Sequence, residues 1–245
     1  AERMYFAFDP GLGIIAQDDG FLDKPRWNLA ATPANQFPLL LHQHPITLYR
    51  HQVCKQADVL QGLLLAGEDI AFECKRRTFD YYEHVTAHDS TLSAACFCIV
   101  AADIGYRDHA LGYFHAGLMV DLRDLHHNTC HGLHMAAIAG SWLSLAWGFG
   151  GLRVAQDGSL HLNPSIPRQW SGFEFRFLWR GRRLQLVADQ GGARCRLLSG
   201  DAMTIHHRGV PMQLGPEGAI ELGMRRERGA PARHKAVIFD LDGVL

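Results

Sequence analysis

The sequence has no long apolar run, no excess of one charge and no paired cysteine spacing. No apolar stretch approaches the ~20 residues of a membrane helix, so we expect no membrane association. The formal net charge is −1, which disfavours nucleic acid as a partner. The 15 histidines are dispersed and do not predict a metal site. The six cysteines are scattered, and Cys96 and Cys98 fall in an apolar helix, which favours free thiols in a reducing cytoplasm.

The first 150 residues predict a helical domain. Residues 1–50 are repeatedly interrupted by proline and predict an ordered, loop-rich segment without a long helix. After them, apolar residues recur at helical spacing. The predicted helices cover residues 51–67, 68–80, 91–104, 106–119 and 132–147. Their short connections indicate a packed antiparallel array.

The composition changes at Gly148-Phe149-Gly150-Gly151, and short alternating segments follow. These predict an antiparallel β unit with one face buried, its strands joined by glycine-containing turns. The predicted strands cover residues 152–154, 160–162, 173–177, 184–187 and 195–198. We therefore expect a helical domain at 1–150, a β-sandwich at 151–224, a basic linker at 225–234 and the first strand of a truncated α/β domain at 235–245.

One stretch concentrates hydroxyl groups immediately before an apolar helix: Thr86-Ala87-His88-Asp89-Ser90-Thr91-Leu92-Ser93. Small hydroxyl residues at a helix start present free backbone N–H groups and the positive end of the helix dipole to an anion. An ordinary N-cap, with Ser90 or Thr91 satisfying the first turn, accounts for the same residues.

Two further motifs precede predicted helices. Lys55 and Gln56 offer a cation and an amide to a hydroxyl-rich ligand such as a sugar, although a solvated helix start would have the same composition. Gly132 lets the backbone approach a ligand, and His134 follows it on the first turn of the next helix. The alternative is that Gly132 only forms a turn and that the hydrogen-bonding groups of His134 are satisfied within the core.

Five blocks of this chain, in order, resemble glycoside hydrolase family 65. They are Gln17-Asp18-Asp19-Gly20-Phe21, residues 49–59, residues 86–93, Gly132-Leu133-His134 and Gly148-Phe149-Gly150-Gly151-Leu152-Arg153. The resemblance implies part of an (α/α)6 barrel followed by a β-sandwich. It also implies inverting phosphorolysis of an α-linked glucose disaccharide to β-glucose 1-phosphate and glucose, with no cofactor.

The resemblance also implies roles for individual residues. Lys55 and Gln56 would bind the reacting glucose; His88, Ser90, Thr91, Gly132 and His134 would surround phosphate. The family commonly has Ser-Ser where this chain has Ser90-Thr91. The general acid would lie upstream of the sequence, so the isolated chain is expected to be an inactive fragment. An α-glucoside hydrolase with Asp89 as base, and a non-catalytic carbohydrate-binding or assembly module, remain alternatives. A homodimer is left open.

The last motif is Asp240-x-Asp242 after an apolar strand. Two aspartates at this spacing at a strand end can share a Mg²⁺-dependent phosphoryl site. Residues 239–245 are similar to the first motif of haloacid dehalogenase-like β-phosphoglucomutases. That resemblance implies a fused mutase domain that would use Mg²⁺ if complete and would consume β-glucose 1-phosphate.

Overall fold

A helical array is followed by two β-sheets in the computed structural model, which describes residues 4–229. This order agrees with the predicted fold class. The predicted strand at 235–245, with Asp240 and Asp242, lies outside the described residues, as does the second half of the expected linker.

The N-terminal segment contains only short elements. They are β1 (Ala7–Asp9), β2 (Ile14–Ala16), 3-10 helices at Leu29–Ala31 and Ala34–Gln36, α1 (Leu39–His42) and α2 (Pro45–Tyr49). Proline sets two of the helix starts, because Pro38 is the N-cap residue of α1 and Pro45 is the first residue of α2. A proline needs no N–H at a helix start, so it is tolerated there and excluded from helix interiors.

Five longer helices follow, one in each predicted range, although the first begins at Asp58 rather than near His51 and the second ends at Glu83 rather than residue 80. They are α3 (Asp58–Ala66), α4 (Phe72–Glu83), α5 (Ser93–Ile104), α6 (Arg107–Met119) and α7 (Met135–Leu143), which continues as a π-helical turn over Ser144–Phe149. Gly105 ends α5 in the left-handed conformation, with φ of 89°, which costs glycine little. No helix within residues 4–229 is long and apolar enough to span a membrane.

Helix α5 is the centre of the array. Ten of its twelve residues are buried, and it packs against α3, α4, α6 and α7. Its contacts with the last helix show that α5 and α7 run in the same direction: Gly140 meets Ala95 near the start of α5, whereas Gly148 meets Ile99 and Ala102 further along. The N-terminal ends of α5 and α7 therefore lie at the same end of the array.

Eight strands in the described chain after residue 150 form the β-sandwich. They are β3 (Arg153–Val154), β4 (Leu160–His161), β5 (Gly172–Trp179), β6 (Arg182–Asp189), β7 (Gly192–Ser199), β8 (Met203–His207), β9 (Val210–Leu214) and β10 (Ala219–Leu222). Their order is β10-β7-β6-β5 in one sheet and β3-β4-β8-β9 in the other. Leu184, Leu186 and Ala188 of β6 alternate into the core, as predicted from the period-two pattern.

Two details of the sandwich differ from the prediction. The strands β8 to β10 were not predicted. Ile205 is the only fully buried residue of β8, and β9 contains Pro211, a residue that argues against a strand. The short strands β4 and β8 pair in parallel through His161 and His206, so the sandwich is not wholly antiparallel. Register between such distant segments is decided by packing rather than by local pattern.

The described part of the expected linker, residues 225–229, packs between the two domains. The Arg225 guanidinium donates to Ala102 O at 2.5 Å and to Asn163 O at 2.6 Å, and it pairs with Asp103 at 3.1 Å. Burial lowers the pKa of Arg225. The basic composition of this segment predicts that it is exposed. The Arg225 guanidinium is nevertheless buried, because carbonyl and carboxylate oxygens surround it.

Candidate functional site at one end of the helical array

Each of the three predicted motifs ends where one helix of the array begins. Lys55 and Gln56 precede α3, residues 86–93 lead into α5, and residues 132–134 lead into α7. The starts of α5 and α7 lie at the same end of the array because the two helices run in the same direction. A β-bridge joins the segment before α3 to the loop before α5.

A parallel β-bridge connects the segment before α3 to the segment before α5. Cys54 N donates to Val85 O, and Ala87 N donates to Cys54 O, both at 2.8 Å. The bridge pairs Cys54 with Thr86 and so holds Lys55 beside the hydroxyl-rich loop. The exposed Lys55 ammonium is close enough to lower the pKa of Asp89, although burial dominates and raises it overall.

Gln56 and Lys55 line one depression of the surface, together with Asp18, Lys24 and His51. The Gln56 amide donates to Asp58 Oδ1 at 3.1 Å, which fixes its orientation at the start of α3. Lys24 pairs with Asp18 at 3.2 Å. A cation, an oriented amide and a carboxylate in one open depression are groups that can bind sugar hydroxyls.

His88 lies in the core rather than at the surface of its loop. Its side chain is 2% exposed, and its backbone φ is 56°, an uncommon conformation for a residue other than glycine. Its Nδ1 is 2.8 Å from Ser93 Oγ and its Nε2 is 3.3 Å from Tyr113 OH, which donates to Glu83 Oε2 at 2.8 Å. Both ring nitrogens have protein partners, so the imidazole positions the loop. A contact between His88 and phosphate stays a prediction.

Ser90 and Thr91 are half-buried at the start of α5. Ser90 Oγ accepts from Leu92 N at 3.3 Å, but no side chain caps α5 itself. Ser90 is therefore not an N-cap of α5, because the Leu92 N–H that it accepts from lies before the first residue of the helix. The first turn of α5 retains backbone donors without a side-chain cap at the positive end of its dipole, where anions bind.

Asp89 anchors a distant segment of the chain. Its Oδ2 accepts from Leu39 N, the first residue of α1, at 2.6 Å. Burial raises the pKa of this carboxyl, while that hydrogen bond and Lys55 lower it. The carboxylate thus has a structural partner at a helix N-terminus, where negative charge is stabilising.

His134 is held by a carboxylate that no sequence pattern indicated. Asp121 accepts from His134 N at 2.8 Å and contacts its Nδ1 at 2.5 Å, and the hydrogen bond to His134 is the main cause of the lowered pKa of Asp121. With Nδ1 engaged, Nε2 is the ring atom left for a ligand. Gly132, with φ of 119°, has open space where a side chain would lie.

Tyr113, which no sequence pattern indicated, contacts His88 Nε2 and is held in turn by Glu83. Tyr113 and Glu83 lie 25 and 5 residues from His88 in the chain, without a recognisable spacing. Within residues 4–229, no group of three or more His, Cys, Asp or Glu side chains is arranged to hold a metal ion.

Comparison with known proteins identifies the class of both domains. The glycosyl hydrolase family 65 central catalytic domain matches residues 1–143, and the C-terminal domain of the same family matches residues 152–214. The chain belongs to glycosyl hydrolase family 65.

Curated relatives include phosphorylases with different substrates in their names. The chain is 42% identical to an alpha,alpha-trehalose phosphorylase of Geobacillus stearothermophilus, over 93% of this chain and 30% of that protein. It is 32% identical to a maltose phosphorylase of Bacillus subtilis, over 86% of this chain and 28% of that protein. The chain thus spans about 30% of the first relative's length.

A solved structure shares the fold. "Putative kojibiose phosphorylase from human microbiome" superposes with a TM-score of 0.81 and 28% sequence identity, covering 90% of this chain and 30% of that one.

Proposed function

We propose that this chain is the part of an inverting α-glucoside phosphorylase that binds phosphate and the reacting glucose. The observation that carries the proposal is the common position of three motifs at the starts of α3, α5 and α7. Ser90, Thr91 and Gly132 supply hydroxyl and backbone donors for phosphate, and His134 donates to it through Nε2 when the ring carries both protons. Lys55 and Gln56 supply donors for the sugar.

The chemistry is a single displacement at the anomeric carbon. Phosphate attacks the face opposite the glycosidic oxygen while a carboxylic acid protonates that oxygen, so an α-glucoside yields β-glucose 1-phosphate. Helix N-termini and fixed donors hold the dianion in line with the bond. We assign no residue of this chain as the acid, and we expect the 245-residue chain alone to be inactive.

Trehalose is the first disaccharide to test. Alpha,alpha-trehalose phosphorylases from Geobacillus stearothermophilus and Thermoanaerobacter brockii are 42% and 40% identical to this chain. The maltose and kojibiose phosphorylases of Bacillus subtilis and Thermoanaerobacter brockii are 32% and 31% identical. Maltose and kojibiose are therefore the next candidates.

The position of Asp89 disfavours the hydrolase alternative. A hydrolase needs a carboxylate free to activate water on the face opposite the leaving group. One Asp89 oxygen instead accepts a backbone N–H of α1 at 2.6 Å, so the residue serves the fold. We accordingly rank hydrolysis second.

The test uses the enzyme that contains this chain. We expect release of β-glucose 1-phosphate from trehalose, maltose or kojibiose only when phosphate is present. Free glucose formed at the same rate without phosphate would refute the proposal. Thr91→Val should raise the KM for phosphate about tenfold by deleting one charge-assisted hydrogen bond, whereas Thr91→Ser keeps the hydroxyl and should preserve it.

On the sequence motif alone, residues 235–245 begin a β-phosphoglucomutase-like domain that would use Mg²⁺ through Asp240 and Asp242; purified enzyme that forms glucose 6-phosphate from β-glucose 1-phosphate would support it. The six cysteines are free, which suits a cytoplasmic enzyme.

Whether the enzyme is a homodimer can be tested by measuring its molar mass in solution with light scattering.

A further inference from the structure

A cleft between the helical array and the β-sandwich lies at the far end of α5 from the candidate site. Its volume is about 500 Å³, within the range of roughly 300–1,000 Å³ found for small-molecule sites. Lys75 and Asp103 line it from the helical side, and Arg153 and His206 line it from the sandwich. Asp103 follows Ser93 by ten residues, which places the cleft about 15 Å along the helix from the phosphate motif.

The cleft has a surplus of positive charge. Its charged lining residues are the cations Lys75, Arg153, Arg208 and Arg225 and the carboxylates Glu68 and Asp103. Two of the cations share one carboxylate, because Arg153 and Arg225 both pair with Asp103, at 2.5 and 3.1 Å. Glu68 accepts a backbone N–H from Gln156 at 3.0 Å. The lining thus leaves cationic charge that an anion would neutralise.

Lys75 is the cation of the cleft that is best placed to meet an anion. Its side chain is half-buried near the start of α4, and within residues 4–229 it has neither a hydrogen bond nor an ion pair. A cation close to a helix N-terminus also opposes the helix dipole. Burial is the main cause of the lowered pKa of Lys75. Placing an unpaired ammonium there costs free energy that a bound anion would recover.

The rest of the wall has unused hydrogen-bonding groups. Three of the nine buried side-chain atoms without a partner in the described structure belong to residues of this wall: His206 Nδ1, Asn163 Oδ1 and Arg225 Nε. The imidazole rings of His161 and His206 stack at 4.8 Å with 17° between their planes. The side chains of Gln156, His161 and His206 line the cleft, and amide and imidazole groups can bond the hydroxyl groups of a sugar.

We infer that this interdomain cleft binds a sugar phosphate, with the phosphate against Lys75 and Arg153 and the sugar toward the stacked histidines. The site is separate from the proposed phosphorolysis site, since it lies at the opposite end of α5. It requires both domains, because each contributes one side of the wall.

Isothermal titration calorimetry of the enzyme with glucose 6-phosphate tests this inference, with inorganic phosphate and glucose as comparison probes. Lys75→Gln should weaken glucose 6-phosphate binding about tenfold, as expected for one partly screened charge. Glu68→Gln should strengthen it about threefold, because it removes a negative charge and keeps an acceptor for the Gln156 N–H. This gain cannot arise from misfolding. Arg176→Gln, on an exposed strand face, is the matched control and should leave binding unchanged.

Several results would overturn the inference. No binding of glucose 6-phosphate at millimolar concentration would do so, as would unchanged binding in both cleft variants. Inorganic phosphate binding as tightly as glucose 6-phosphate, with the same response to Lys75→Gln, would refute the sugar component. Failure of the proposed phosphorolysis is detected separately, by its own product assay and by the Thr91→Val variant.

Discussion

Replacing Arg225 by methionine tests whether burial or ion-pair length determines how much an arginine stabilises this chain. The Arg225 side chain is 11% exposed and lies 3.1 Å from Asp103. The Arg194–Glu221 pair on the sandwich is shorter, at 2.5 Å, but its side chains are 56% and 71% exposed. If the length of the ion pair decides the contribution to stability, Arg194 should contribute more than Arg225. If burial decides it, Arg225 should contribute more.

The expected cost of Arg225→Met follows from the partners it leaves behind. The carbonyl oxygens of Ala102 and Asn163 lose charged donors, and a lost hydrogen bond to a charged group costs about 1.5–3 kcal/mol. Asp103 keeps Arg153 as a partner, so the full cost of an uncompensated buried charge is avoided. We expect the free energy of unfolding to fall by about 3 kcal/mol.

Urea denaturation followed by tryptophan fluorescence measures this change. Arg194→Met is the control and should lower the free energy of unfolding by less than about 1 kcal/mol, because exposed ion pairs are screened by water. Equal losses in the two variants, or a larger loss for Arg194→Met, would refute the assignment of residues 225–229 as a stabilising interdomain contact.

Three further predictions concern the helical array and the candidate site. Gly140→Ala places a methyl group 2.7 Å from Ala95 Cβ and should lower the free energy of unfolding by about 1–3 kcal/mol in denaturation experiments. Gly117→Ala meets its nearest neighbour at 3.6 Å and should raise the free energy of unfolding by up to about 1 kcal/mol. Similar effects in the two variants would contradict the packing argument. Asp89→Asn keeps an acceptor for the α1 backbone, so phosphorolysis should stay within about tenfold of wild type, whereas a loss of about a thousandfold would indicate a general base. Asp121→Asn should raise the KM for phosphate about tenfold without changing that for the disaccharide. Because the pKa of Asp121 is lowered from 3.8, its stabilisation is present above pH 3.8 and is lost as the pH falls through the lowered value. Acid titrations should therefore show a weaker loss of stability in Asp121→Asn, and identical profiles would contradict this assignment.

Local sequence pattern determined the secondary structure of the helical array and the first strands of the sandwich. Helices α3 to α7 occur one in each predicted range because apolar spacing is a property of consecutive residues. The same holds for the turn at Arg180 and Gly181, whose φ angles of 47° and 77° fit a two-residue hairpin. Residue type alone also singled out the motifs at Lys55, Ser90 and His134.

Tertiary structure decided which of those side chains are engaged by other parts of the fold. His88 belongs to the same hydroxyl-rich stretch as Ser90, yet its ring is enclosed because Tyr113, from another helix, reaches it. Asp121 holds His134 from 13 residues upstream, and Arg225 is buried by oxygens from both domains. These contacts join residues far apart in the chain through hydrogen bonds and charge, which have no periodicity. For that reason the sequence by itself predicted the motifs, and only the folded chain assigned their partners.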